Sequence, residues 1–600
     1  MTDEPGQRKR SRAEDLTLLR RFWPEVAPDR RWVWLGLAAV PLMSVAGAAQ
    51  PWLVKQAIDG PIAGALTGTA SGGSSTGHWS LGALALAFLV AVLAEYGGRS
   101  LQLYALQLAG YRALRRLRRR TFQHVLNQGA AFFDQRATGN LLTRTITDVE
   151  SVGEVLTFGI VGIAGDVFDI ALMLGAMAWL DLPLTGWSLL AAPAVVLLVN
   201  FFRRRLRFHA SEIRRSMASA SGFFQEALAG AKVVQLHGRQ QTTLDEYREL
   251  NRRYLDAYRI SNWYDASLYA VMDGVASLCI ALLIWFGGGR AVQGAVSVGL
   301  LIAFIQYIQR LFVPVRELSG KVATIERAMA ALERIYGLHD VNQRLPEGAH
   351  APAVVRGQIE VRGLRFGYRA DGPLALDDVS LSVQPGELVA LVGPTGSGKS
   401  SLAKLLTRMY AAPAEQIWLD GVALEHWQQA ALRRAVGVVQ QDVVLFSGTL
   451  YDNVALGRPL ERARVEAALA DARLQGLVAR LGGLDAEIAS GGANLSTGER
   501  QLLAIARVLA ADPPVVVLDE ATASIDTETE QAVQAALDRV FQGRTCVVVA
   551  HRLSTIRKAQ RIVVLERGRV AEQGSHDELL AHGGLYAKLV QAAQEAHQAA

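Results

Sequence analysis

Apolar residues fill the first half of the chain in long, nearly unbroken runs. Each run approaches the roughly 20 residues that a helix needs to cross a bilayer. Six runs predict spanning helices at 32–56, 80–108, 152–180, 183–202, 264–287 and 297–315, the first of them broken at Gln50-Pro51. Buried helices of a water-soluble domain seldom run this long or follow one another in such number. Between the second and third runs (109–151), and between the fourth and fifth (203–263), apolar positions keep helical spacing but charges are frequent. These stretches predict helices that leave the lipid and continue into water, each pair closed by a short turn. One tip carries Phe132-Phe133-Asp134, followed by Gly139, Arg144 and Asp148; the other carries Phe223, Phe224, Glu226 and Gly230. Tips of this kind suit docking on a soluble domain.

The pattern changes after Leu338. Residues 339–357, with Pro346, Gly348, Pro352 and Gly357, read as a linker. Beyond it, short β-branched strands alternate with helices, which predicts an α/β domain with a largely parallel sheet. The expected organisation is an N-terminal segment (1–31), a six-helix membrane domain (32–338), the linker, and a soluble domain (358–600).

Composition agrees with a membrane half. Half the residues are apolar and 20% are charged, against about 25% charged in an average soluble domain. Two cysteines, Cys279 and Cys546, lie in unrelated apolar runs, which excludes a disulfide framework and a cysteine metal site. The formal charge is +6, and the positions of the arginines matter more than the total. Arg112, Arg115, Arg116, Arg118, Arg119 and Arg120 follow the second run, and Arg203, Arg204, Arg205 and Arg207 follow the fourth. Residues 1–31 add Arg8, Lys9, Arg10, Arg12, Arg20 and Arg21, whereas 57–79 contain no Lys or Arg. By the positive-inside rule both termini lie in the cytoplasm, and the expected location is the inner membrane. The arginines sit where anionic headgroups would be, so no nucleic-acid partner is expected.

The soluble half carries a phosphate-binding pattern. The predicted strand Leu388–Val392 runs directly into Gly393, Pro394, Thr395, Gly396, Ser397, Gly398, Lys399 and Ser400, and a helix starts at Ser401. This is the P-loop in its strand–loop–helix setting. Its glycines let backbone N–H groups face phosphates, and the helix N-terminus adds positive potential. Lys399 is placed to reach the β- and γ-phosphates, and Ser400 to ligate Mg²⁺. A second strand, Val515–Leu518, ends in Asp519 and Glu520. Beside a P-loop, Asp519 suits Mg²⁺ and Glu520 suits the general base that polarises the attacking water.

In this setting the chain resembles a half-transporter of the ATP-binding cassette exporter family, over nearly its whole length. Leu495-Ser496-Thr497-Gly498-Glu499 resembles the family signature, and Tyr368 matches the aromatic residue that stacks on adenine. Gln441 matches the loop that links Mg²⁺ and the catalytic water to the membrane domain. Asp526, in Ser524-Ile525-Asp526, matches the loop that crosses the cassette dimer, and His551 matches the switch histidine of the γ-phosphate. The resemblance implies ATP and Mg²⁺ as ligands and a second half-transporter as partner. Ser496 and the Gly498 N–H then contact nucleotide held by that partner.

Two departures bear on the partner. The family signature reads Leu-Ser-Gly-Gly-Gln; here Thr497 adds a side chain and Glu499 a negative charge beside an anion. The preceding loop, Ala489-Ser490-Gly491, lacks the usual Glu. An impaired signature beside an intact Lys399, Asp519, Glu520 and His551 predicts a heterodimer with unequal sites, with a homodimer as the alternative.

Ionisable residues inside the spans are costly there and commonly face a cavity. Glu95 and Arg99, four residues apart, are expected to pair. Asp166 and Asp169 share a helix face, with Trp179 farther along and Asp265 and Asp273 in or beside the fifth span. An acidic, aromatic cavity predicts an amphipathic, drug-like or cationic cargo. A lipid or peptide exporter and a nucleotide-sensing membrane regulator are the competing readings.

Overall fold

The computed structural model describes residues 12–66, 79–154, 159–190, 192–369, 372–519, 527–550 and 552–598. They fall into two compact units. One holds the chain up to Leu126 together with Thr138–Val341, and the other holds Asn127–Ala137 together with the chain from Asn342 onward.

The first unit is helical. Its long helices are Arg30–Ala57, Leu81–Leu126, Ile160–Leu180, Ala192–Ala229, Gln240–Val292 and Val298–His339. Among the described residues, five helical segments are long and apolar enough to cross a membrane, the segments of the first, second, third, fifth and sixth expected spans. The fourth expected span is shared between Leu182–Leu189 and Ala192–Ala229, with residue 191 outside the described set. Asp181 starts the shorter piece, accepting the Leu184 N–H at 2.8 Å and pairing with Arg290 at 3.2 Å.

Gln50-Pro51 does not break the first span: the helix Arg30–Ala57 runs through it. Proline has no N–H, so the carbonyl four residues back, at Gly47, loses its intrahelical donor. Arg310 supplies a replacement, its Nη1 donating to the Gly47 oxygen at 2.8 Å, while Tyr307 Oη donates to the Ala48 oxygen at 2.6 Å. Membrane helices tolerate proline where a neighbour satisfies the freed group in this way.

Arg310 also overturns the expected Glu95–Arg99 pair. Glu95 instead accepts from Gln50 Nε2 at 2.6 Å and pairs with Arg310 Nη1 at 3.4 Å, and Arg310 Nη2 donates to Gln50 Oε1 at 2.5 Å. The free acidic face expected at 166 and 169 is corrected too. Asp166 pairs with Lys321 at 2.7 Å, and Asp169 accepts from Ser44 Oγ. Both carboxylates fasten one helix to another.

The second unit is the α/β domain. A four-stranded antiparallel sheet has the order β2 (Leu376–Val383), β1 (Ile359–Phe366), β4 (Ile417–Leu419), β5 (Val422–Ala423). A six-stranded sheet runs β12 (Arg569–Gly574), β11 (Arg561–Glu566), β3 (Leu388–Val392), β10 (Thr545–Val549), β9 (Val515–Asp519), β6 (Val436–Val439). Its pairings are parallel except β11 with β12. Short strands β7 (Gly448–Thr449) and β8 (Glu487–Ile488) pair separately. The central strands are apolar throughout because both faces are covered. Ala390, Val516 and Val548 enter one core, and the alternate residues Val389, Val517 and Val547 enter the other.

Residues 346–350 of the expected linker lie along this domain. Gly348 N donates to Trp427 O at 3.2 Å, and Arg408 Nη2 donates to Pro346 O at 2.6 Å. The helical tip Ala130–Asp134 belongs to the same unit. Ala130 and Ala131 pack against its core, and Asp134 accepts from Tyr410 Oη.

Candidate functional site

The loop after β3 curls because three of its residues need left-handed backbone. Gly393, Gly396 and Gly398 have φ of +152°, +82° and +104°. A side chain at 393 would also overlap the Leu565 carbonyl, and one at 398 would come within 2.7 Å of the Ala375 oxygen. The helix Lys399–Leu406 starts there.

Lys399 is buried at 6% exposure, its Nζ donating to the Gly393 and Pro394 carbonyls at 2.7 and 3.0 Å. Burial pulls its pKa down, and the nearby Asp519 carboxylate opposes that pull. Ser397 Oγ is buried with no hydrogen-bond partner among the described residues. A cradle with an ammonium, glycine-permitted amides and an unpartnered hydroxyl fits a polyphosphate.

Ser400 Oγ lies 3.4 Å from Asp519 Oδ1, so the helix start and the end of β9 offer two hard oxygen donors side by side. Gln441 and Asp519 line one cleft with Gln440 and Gln501. No cluster of three or more acidic, His or Cys ligands exists among the described residues. A hydroxyl and one carboxylate suit Mg²⁺, which keeps waters and takes substrate phosphates as ligands.

Tyr368 is 42% exposed, with Oη 3.0 Å from Ser401 Oγ and its ring edge-on to Tyr410 at 5.2 Å between centroids. Tyr410 is thus in contact both with the aromatic residue expected at adenine and with Asp134. Nothing in its sequence setting singled it out. Burial and the Asp134 carboxylate push its pKa well above the ordinary value.

The signature forms the start of the helix Thr497–Ala511. Ser496 Oγ accepts the Glu499 N–H at 3.2 Å, and Glu499 Oε2 accepts the Ser496 N–H at 2.8 Å. Gly498 is buried, and any side chain there would overlap the Thr529 methyl group. Glu499 Oε1 also pairs with Arg480 at 2.6 Å, and Arg500 donates to Thr497 Oγ1 at 3.1 Å. The charge of Glu499 is therefore compensated, contrary to the bare carboxylate expected beside an anion. The expected residues Glu520, Asp526 and His551 lie outside the described residues.

A P-loop cassette joined to lipid-length helices defines a membrane transport ATPase. The chain matches the ABC transporter transmembrane region over residues 33–315 and the ABC transporter family over 376–523. It is 35% identical over 578 residues to the ATP-dependent lipid A-core flippase of Burkholderia orbicola (strain AU 1054), covering 96% of this chain and 95% of that protein. It is 32% identical over 580 residues to the "Putative multidrug export ATP-binding/permease protein YgaD" of Bacillus subtilis (strain 168), covering 96% and 99%. A solved structure of a bacterial Atm1-family ABC exporter with ATP bound superposes with a TM-score of 0.75 at 31% identity, over 95% of this chain and 98% of that one. The chain belongs to the ABC exporter family: it is a multi-pass half-transporter whose cassette binds ATP and whose ATPase is coupled to transport.

Proposed function

We propose that two copies of this chain form an exporter in the cytoplasmic membrane that moves amphipathic small molecules outward. The observation that carries this reading is the Gly393–Ser400 cradle, with its glycine-only backbone and buried Lys399, in one chain with helices of membrane length. In this reading Tyr368 stacks on adenine, and Gly393–Ser401 holds the phosphates. Glu520 takes a proton from the water that attacks the γ-phosphorus, and ADP leaves. His551 contacts the γ-phosphate, and Asp526 meets the partner cassette. Mg²⁺, held by Ser400, Asp519 and Gln441, would offset phosphate charge. Ser496 and Gly498 cap nucleotide held by the partner.

The unequal pair expected from the sequence rested on Thr497, on Glu499 and on the loop Ala489-Ser490-Gly491 that lacks the usual Glu, beside an intact Lys399, Asp519, Glu520 and His551; of these, the charge of Glu499 is the one that a neighbour compensates. With Arg480 beside that carboxylate, a second copy of this chain is the partner we favour. Exposed Phe224, Leu228, Val233 and Leu236 near the second helical tip offer apolar surface to such a partner. A cargo chosen for positive charge loses the support of Asp166, whose charge Lys321 balances, while Asp169 is tied by hydrogen bond to the neutral Ser44 hydroxyl. A lipid cargo is the second reading, favoured by the flippase relative at 35% identity.

The test is the chain purified alone and reconstituted in liposomes. Vanadate-sensitive ATPase stimulated by neutral and cationic amphipaths alike supports the proposal. Stimulation by a phosphorylated glycolipid only, with its translocation, supports the lipid reading. Absence of turnover from the chain alone would return the heterodimer.

A further inference from the structure

The signature helix poses an electrostatic problem that the structure solves with a residue outside the motif. On the dimer reading above, the first turn of Thr497–Ala511 faces a triphosphate, and Glu499 places a carboxylate in that turn. Its two oxygens are separately occupied: Oε2 accepts from the Ser496 N–H at 2.8 Å, and Oε1 accepts from Arg480 Nη2 at 2.6 Å. Arg480 sits near the end of the helix Gln475–Leu481, 19 residues earlier in the chain. Its side chain is 53% exposed while that of Glu499 is 24% exposed. The guanidinium therefore stands toward solvent, and the carboxylate is drawn back against its own helix start. Arg500, bonded to the Thr497 hydroxyl at 3.1 Å, adds a second positive charge. With Arg480, Glu499 and Arg500 together the tip carries a net positive charge; without Arg480 it is neutral, and Glu499, still held through Oε2 by the Ser496 N–H, keeps an uncompensated charge with Oε1 free beside the helix N-terminus.

We infer that Arg480 is a positioning residue for ATP hydrolysis at the partner's P-loop. It clamps and neutralises Glu499 so that the Ser496–Gly498 turn can close on the nucleotide. An ordinary exposed ion pair of this kind contributes little to stability, so its effect should appear in turnover rather than in folding.

The experiment compares full-length Arg480→Met, Arg480→Lys, Glu499→Gln and Arg480→Met/Glu499→Gln in liposomes at low and physiological salt. Arg480→Met is expected to lower kcat about 3–10-fold, with a smaller change in KM and a larger defect at low salt. Arg480→Lys should retain most of the turnover, and the double variant should recover to within about twofold of Glu499→Gln. Wild-type turnover in Arg480→Met, or an equal loss with and without Glu499, overturns the inference. The dimer reading is checked separately, by ATP-dependent association of Glu520→Gln cassettes in the full chain. If that association fails, both readings fall; if it holds while Arg480→Met is silent, only this one does.

Discussion

The substitution Arg310→Met isolates how this bundle keeps a proline inside a spanning helix. Pro51 leaves the Gly47 carbonyl without its helical donor, and Arg310 Nη1 fills that place at 2.8 Å. A hydrogen bond from a charged donor is worth about 1.5–3 kcal/mol in soluble proteins, and interhelical bonds in membranes measure about 0.6–2 kcal/mol. Losing the Gln50 and Glu95 contacts adds about 1 kcal/mol, discounted because both side chains of the ion pair are partly exposed. Arg310→Met should therefore cost about 2–3 kcal/mol. Pro51→Ala restores an amide that can bond Gly47 within the helix. In that background the same change should cost only about 1 kcal/mol, a coupling of about 1–2 kcal/mol. The assay is the midpoint of SDS-driven unfolding in mixed micelles, followed by tryptophan fluorescence, for the four proteins of the cycle. An identical cost in both backgrounds would refute the idea that Arg310 caps the carbonyl freed by Pro51.

Asp166→Asn leaves the Lys321 ammonium, now held by Asp166 at 2.7 Å, with only the more exposed Glu317 carboxylate at 3.2 Å; export of cationic and neutral dyes should fall together by about fivefold, and Asp166→Asn/Lys321→Met should recover part of it, both read from dye efflux in liposomes. Tyr410→Phe removes the hydroxyl that binds Asp134; cargo stimulation of the ATPase should drop while unstimulated hydrolysis stays within about threefold, and equal loss of both would assign Tyr410 a purely structural part. Cys546 is fully buried in β10, and burial pushes its thiol up to about 12. Maleimide labelling at neutral pH should therefore spare it in the native protein and reach it after denaturation, with mass spectrometry as the readout.

Local pattern was enough for much of this protein. Runs of lipid length, arginine blocks beside them, and a glycine-rich loop between an apolar strand and a helix are consequences of nearest-neighbour physics. Each can be read without knowing what folds against it. Among the P-loop glycines Gly396 is the clearest case, because its φ of +82° comes with no neighbour that a side chain would meet within 4 Å. The charged residues inside the bundle behaved otherwise. Glu95 and Arg99 have pairing distance along one helix, yet Glu95 turns to Gln50 and Arg310, and Asp166 turns to Lys321. The helix through Pro51 survives on an arginine 259 positions later in the chain. Glu499 looked like a defect until Arg480 was placed beside it. A charge or an unpaired carbonyl in a low-dielectric setting takes whichever complementary group the packing brings within about 3 Å. Which group that is depends on how distant helices are packed, and only the tertiary structure decides it.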